Sequence, residues 1–292
     1  MMNRMSNYMN KKQDMMFIPF ITAGDPSEDA TVELAFMLQS VGACALELGI
    51  PYSDPLADGP VIQRASKRAL SKGMSLLGAL QLVKKIRLRG VKIPVIIFTY
   101  CNLLLQLGEE TFFREAKENE IDGLLVPDLP FEESRGLAER CINHGISLIS
   151  LVAPTTSEQR MGKIGASAQG FLYCVSSLGV TGVRKKFHPD VFPFLERVRA
   201  ACELPIAVGF GISSNEQVDE LRGHADGFIV GSAIVSQIER RADRLQKSES
   251  LSPAVEEIRE YLLNTLLGKH KVGKNHERTA QQAETLSTGK TG

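Results

Sequence analysis

The chain has 292 residues, with 34 Lys and Arg against 34 Asp and Glu, so its net charge is zero. That balance provides no basic field for a nucleic-acid backbone. No apolar run approaches the roughly 20 residues needed to span a bilayer, and polar Met1–Met16 lacks the apolar core of a secretory signal.

Eight short apolar runs read as strands: 17–21, 43–48, 94–98, 122–126, 147–152, 170–175, 204–208 and 226–230. They do not alternate in polarity, as expected of strands buried on both faces. Helical patterns separate them. Asp25-Pro-Ser-Glu28 reads as a helix start, with Asp25 as the cap. Ser213-Ser-Asn-Glu216 has capping-box spacing. Leu76, Leu77, Leu80 and Val83 share one helical face. Strand starts mostly lie roughly 20 to 35 residues apart, but about 50 separate the second from the third, which leaves room for an extra helix near 61–70. A last amphipathic helix starts at Ser252-Pro253. After Gly268 the composition turns to Lys, Gln, Thr, Ser and Gly, predicting a disordered tail over 269–292.

Eight strand–helix units predict a single (β/α)8 barrel over 1–268, which typically takes about 250 residues. The alternative is a doubly wound open sheet. Against it, no G-x-G-x-x-G follows the first strand. The five cysteines (Cys44, Cys101, Cys141, Cys174, Cys202) are spread singly, as in a cytoplasmic protein with reduced thiols.

A barrel of this kind reacts at the C-terminal ends of its strands. The second strand ends in Glu47-Leu-Gly. A carboxyl there is either paired with a base or desolvated and poised for proton transfer. The next loop, Gly49 to Pro60, holds Asp54 and Asp58 between three prolines and two glycines. These aspartates either complete an acid/base pair or simply form turns. Gly209-Phe-Gly211 and Gly231-Ser232 follow the last two strands, where barrels often hold phosphate. Small residues from Ser176 to Val183, then Arg184-Lys-Lys186, suit a lid over the mouth. No metal-binding motif or serine-triad signature is present.

Glu47-Leu-Gly-Ile-Pro-Tyr-Ser-Asp-Pro-Leu-Ala-Asp-Gly-Pro-Val-Ile-Gln63 closely resembles the signature of the tryptophan synthase alpha chain family. Phe20–Pro26, Tyr100–Asn102, Pro127–Pro130, Gly179–Gly182, Val208–Gly211 and Val230–Ser232 agree in order and spacing. The resemblance covers roughly residues 15–267. It implies a lyase barrel, with extra helices at the N-terminus and after the second strand, that cleaves indole-3-glycerol phosphate to indole and glyceraldehyde 3-phosphate. It implies Glu47 as general acid/base and Asp58 as the carboxylate that holds the indole N–H. Thr181 would close over the site and orient Asp58. Gly182, Gly211, Gly231 and Ser232 would bind phosphate, while Phe20, Tyr173 and Phe210 would line the pocket. Asp54, Pro55, Asn102 and Pro130 would face a beta chain in an α2β2 tetramer. Pyridoxal phosphate would reside only in that partner, with no cofactor here. A self-sufficient lyase and a non-catalytic phosphate-binding barrel are the competing readings.

Overall fold

The computed structural model describes residues 4–9, 15–175, 187–209 and 211–268. The first half comprises α1 (Arg4–Met9), β1 (Met16–Thr22), α2 (Glu28–Ser40), β2 (Leu46–Gly49), α3 (Pro60–Leu70), α4 (Leu76–Leu88), β3 (Val95–Phe98), α5 (Cys101–Leu107), α6 (Glu109–Glu118), β4 (Gly123–Leu125) and α7 (Arg135–Asn143). Then follow β5 (Ser147–Leu148), β6 (Ser150–Val152), α8 (Glu158–Ser167), β7 (Leu172–Val175), α9 (Val191–Ala201), β8 (Ile206–Gly209), α10 (Asn215–Glu220), β9 (Gly227–Val230), α11 (Ser232–Arg240), α12 (Ala242–Leu245) and α13 (Ser248–Leu262). A π-helical turn, Leu263–Leu267, ends the described chain.

Every strand pairing is parallel, in the order β5-β4-β3-β2-β1-β9-β8-β7-β6. The two ends of that order, β5 and β6, are one segment interrupted at Ile149. The Ile149 N–H still donates to Leu124 O at 2.8 Å. The segment therefore joins β4 on one side and β7 on the other, and eight physical strands close into the expected barrel.

Strand parity explains the unalternating sequence. Phe17, Ile21, Leu46, Leu48, Ile97, Val208 and Phe228 face outward into one large core shared with the helices. Met16, Ile18, Ala45, Ile96, Leu125, Ile149, Phe171, Tyr173, Ala207 and Ile229 fill the barrel interior. Both faces are dry, so both parities are apolar. The amino-terminal helix α1 closes the lower end by adding Met5 and Met9 to the interior cluster. Gly123 and Gly170 make room for Met5: a Cβ at either would lie about 3 Å from its side chain. Arg4 and Arg87 converge on Asp122 at 3.0 and 2.6 Å, fastening α1 to the base of β4.

Several element starts differ from the sequence expectation. Ser27, not Asp25, caps α2, because its hydroxyl accepts the Ala30 N–H at 3.1 Å. Asp25 is instead bound to Arg68. Ser214, not Ser213, caps α10. The partner three residues on is then Gln217, whose Oε1 reaches back to the Ser213 N–H at 2.9 Å. The last helix begins at Ser248, four residues earlier than expected, with Pro253 inside it. Proline there removes only one backbone donor near the helix start. The helix α3 spans Pro60–Leu70, within one residue of the expected 61–70. The predicted tail, 269–292, lies outside the described residues.

Candidate active site

The site is built at the upper end of the barrel. Alternation along β2 turns Ala45 into the interior and brings Glu47 to the same face two residues higher. Its register neighbours are Phe20 and Ile96, both apolar. Glu47 is 1% exposed, and its Oε1 has no hydrogen-bond partner among the described residues. Among the described residues no basic side chain offsets its burial, so the carboxyl is pushed up to about 8. The paired-ion alternative for Glu47 therefore finds no support. A carboxyl that exchanges its proton near neutrality is what general acid/base work needs.

The loop after β2 separates its two aspartates. Asp54 is exposed and takes a hydrogen bond from the neighbouring Ser53 hydroxyl, which is turn behaviour. Asp58 is 5% exposed, and burial raises it to about 6. The rise is limited because the Tyr100 hydroxyl donates to its carboxylate. The same hydroxyl accepts the Ala57 N–H at 3.1 Å. Gln63 Nε2 donates to Asp58 O at 2.8 Å, fixing the junction where the loop enters α3.

Tyr100, the first residue of the Tyr100–Asn102 motif, is thus a positioning residue for Asp58. Nothing local in the sequence marks it, because its partners Ala57 and Asp58 meet it only in the folded barrel. Removing its hydroxyl in Tyr100→Phe withdraws a donor from the charged form of Asp58, so the acid limb of kcat/KM should move upward in pH by about 0.5–1. The Ala57 N–H also loses its acceptor, costing about 1 kcal/mol of stability. A pH–rate profile and a denaturant melt check both; an unmoved acid limb would remove Tyr100 from this role.

Tyr173, on β7, is buried in the interior, where burial and the nearby Glu47 and Asp58 carboxyls hold its phenol protonated. One interior aromatic thus senses both acids. Phe20 packs with Ile62, Ala65 and Val235 and meets Phe98 edge-on at 5.6 Å. Two glycines leave space for these rings. A Cβ on Gly49 would sit 2.3 Å from Phe20 Cζ, and one on Gly209 would sit 2.2 Å from the Tyr173 hydroxyl.

Gly211 follows β8 with φ +85°, backbone that favours glycine. Gly231 caps α11, and a Cβ there would be 3.5 Å from Phe20 Cβ. Ser232 opens that helix. Its first turn holds no acidic residue, and among the described residues no side chain caps it; a helix N-terminus of this kind favours an anion. Thr181, Gly182, Phe210 and the expected lid over 176–186 lie outside the described residues. Among the described residues, no group of three side chains could hold a metal ion.

Asp54, Asn102 and Pro130 are exposed and Pro55 half-buried, on the segments that follow β2, β3 and β4. Asn102 Nδ2 donates to the Tyr52 hydroxyl at 3.2 Å, joining two of these segments. Between them lies a groove of about 480 Å³, lined by Tyr52, Asp54, Met74, Leu76, Asn102 and Gln106 among others. Leu56 and Leu105 are exposed by 79% and 68%.

Residues 5–262 match the family model described as tryptophan synthase alpha chain. The chain belongs to the tryptophan synthase alpha chain family. The alpha chain of Shouchella clausii (strain KSM-K16) is 60% identical over 256 residues, covering 88% of this chain and 94% of that one. Among solved structures, subunit alpha from Legionella pneumophila str. Paris matches with a TM-score of 0.78 at 36% identity, over 90% of this chain and all of that one. A chain of the tryptophan synthase α2β2 complex of Pyrococcus furiosus matches with a TM-score of 0.76 at 37% identity, over 86% and 98%. This family membership accounts for the closed barrel, and the described helices include none long and apolar enough to cross a membrane.

Proposed function

We propose that this chain is the lyase subunit of a cytoplasmic tryptophan synthase. It cleaves indole-3-glycerol phosphate to indole and glyceraldehyde 3-phosphate, and passes indole to a beta chain that carries pyridoxal phosphate. The observation that carries the residue assignment is the pair of buried carboxyls with separated proton affinities: Glu47 at about 8 and Asp58 at about 6. At neutral pH one is protonated and the other ionised, which is the division of labour this cleavage requires.

Protonated Glu47 delivers its proton to indole C3, leaving a cationic indoleninium and a Glu47 carboxylate. Ionised Asp58 accepts the indole N–H and balances that positive charge. The Glu47 carboxylate then takes the proton of the glycerol hydroxyl adjacent to the scissile bond. The O–H electrons form the aldehyde C=O, and the C–C bond breaks toward the ring, whose cationic nitrogen receives the pair. Neutral indole and glyceraldehyde 3-phosphate result, and Glu47 is again protonated. The charge states require kcat/KM to fall below about pH 6, as Asp58 takes up a proton, and above about pH 8, as Glu47 loses one.

Gly211, Gly231 and Ser232, with Gly182 in the loop after β7, hold the phosphate. Phe20, Tyr173 and Phe210 bracket the rest of the substrate, and the role the family resemblance gives Thr181 is to orient Asp58. Asp54, Pro55, Asn102 and Pro130 contact the beta chain; the exposed Leu56 and Leu105 beside them support an interface there. Indole release by the purified chain, measured alone and with added beta chain, tests the proposal. Release that the beta chain strongly accelerates is the expected result. Release without acceleration would favour a self-sufficient lyase, and no release under either condition would leave a non-catalytic barrel.

A further inference from the structure

The inserted helix α3 sits between the two ends of the proposed site. It begins two residues after Asp58 and packs through Ile62 and Ala65 against Val235 of α11 and Phe20 of β1. The helix α11 in turn begins at Ser232, in the proposed phosphate cradle. One charged cluster joins these elements. Arg68 of α3 grips Asp25, in the turn after β1, with two hydrogen bonds of 2.7 and 3.0 Å. Its remaining nitrogen donates to Glu239 of α11 at 2.7 Å. Arg64, one helical turn earlier, donates twice to Glu239 at 2.8 Å.

The Asp25 side chain is 1% exposed, whereas Arg68 and Glu239 are about a quarter exposed. Burial raises the Asp25 carboxyl even with Arg68 beside it, so the cluster is anchored on a desolvated group rather than lying loose on the surface. A planar guanidinium engaged on two carboxylates fixes direction as well as distance, which an ammonium does not. Apolar packing between α3 and α11 is non-directional; the forked ion pairs add a directional constraint.

We propose that Arg68, with Asp25 and Glu239, is a positioning residue for the cleavage reaction: it locks α3 to α11 and so sets the separation between Asp58 and the phosphate cradle. The inference rests on the assignment of Asp58 and of Gly231–Ser232 made above. A substrate held by phosphate at one end needs its indole placed on Asp58 at the other. Misplacement by about 1 Å is enough to cost roughly a hundredfold in rate.

The test uses the full chain with its beta chain. It measures kcat and KM for indole release, and binding of glycerol 3-phosphate, which carries the phosphate and no indole. Arg68→Lys keeps the charge and loses the fork. It should lower kcat at least tenfold while glycerol 3-phosphate binding stays within about twofold. Glu239→Ala should do the same, and Glu239→Gln, whose amide oxygen still faces Arg68, should recover most of the loss. If Arg68→Lys does not fold, the Glu239 pair decides, since it leaves the Asp25–Arg68 contact in place.

Unchanged kcat in folded variants overturns the proposal. So does a parallel loss of glycerol 3-phosphate binding, because the ion pairs would then merely shape α11. Failure of the wild-type chain to bind glycerol 3-phosphate would instead refute the cradle assignment, and the inference with it.

Discussion

Glu47→Gln is expected to abolish indole release and, at the same time, to raise the melting temperature of the chain, by more at pH 9 than at pH 5. The loss follows from the double use of one carboxyl. An amide neither delivers a proton to indole C3 nor takes one from the glycerol hydroxyl. General acid/base groups contribute about 10²–10⁴-fold each, so turnover should drop by at least about 10⁴. The gain in stability comes from the same burial. Glu47 titrates at about 8 in the folded chain against an ordinary value of 4.5, with desolvation as the cause. Below pH 4.5 both folded and unfolded chains hold the proton, and burial carries no ionisation penalty. As pH rises from 4.5 to 8 the unfolded chain ionises freely while the folded one resists. Folding is therefore progressively disfavoured, by about 3 kcal/mol near pH 7 and about 4–5 kcal/mol above pH 8. Glutamine removes that penalty, and for a barrel of this size the upward shift at pH 9 is on the order of 10 °C. Thermal melts across pH 5 to 9 check it. A variant that melts no higher than wild type at pH 9 would mean that Glu47 has a stabilising partner in the folded chain.

The barrel was legible in the sequence because strand burial on both faces leaves a local signature: apolar runs without alternation, separated by one or two helices. All eight were placed within a few residues. The break at Ile149 was not legible, since it depends on how the segment joins β4 on one side and β7 on the other. Boundaries slipped where two residues competed for one cap. Asp25 is as good an N-cap as Ser27 locally, and only the approach of Arg68 from α3, 43 residues on, withdraws its carboxylate. Asp54 and Asp58 pose the same difficulty. Both precede a turn residue, and only the fold separates them, by leaving one in water and closing Tyr100 over the other. Tyr100 itself was unreadable as a positioning residue for that reason. Its partners, Ala57 and Asp58, lie more than 40 positions away and meet it only when β2 and β3 lie side by side.

Asp58→Asn is expected to lower kcat by about 10²–10³-fold while KM for indole-3-glycerol phosphate changes by no more than a few-fold. The substitution preserves shape, and the amide oxygen can still accept the indole N–H and the Tyr100 hydroxyl. The ground state is therefore nearly untouched. What disappears is the negative charge, which matters only once C3 is protonated and the ring nitrogen becomes cationic. In a desolvated site one such electrostatic contact is worth about 3–4 kcal/mol of barrier, which sets the size of the loss. A kcat effect without a KM effect marks an interaction made in the transition state alone. The pH profile adds a second reading. The acid limb near pH 6, assigned to Asp58, should vanish from the residual activity, while the limb near pH 8, assigned to Glu47, should persist. Near-normal kcat in Asp58→Asn would return Asp58 to the role of a buried turn former and leave Glu47 to act without a counter-charge. Loss of both limbs together would mean that the two carboxyls titrate as one coupled pair, and the separate acid and stabiliser roles would then have to be abandoned.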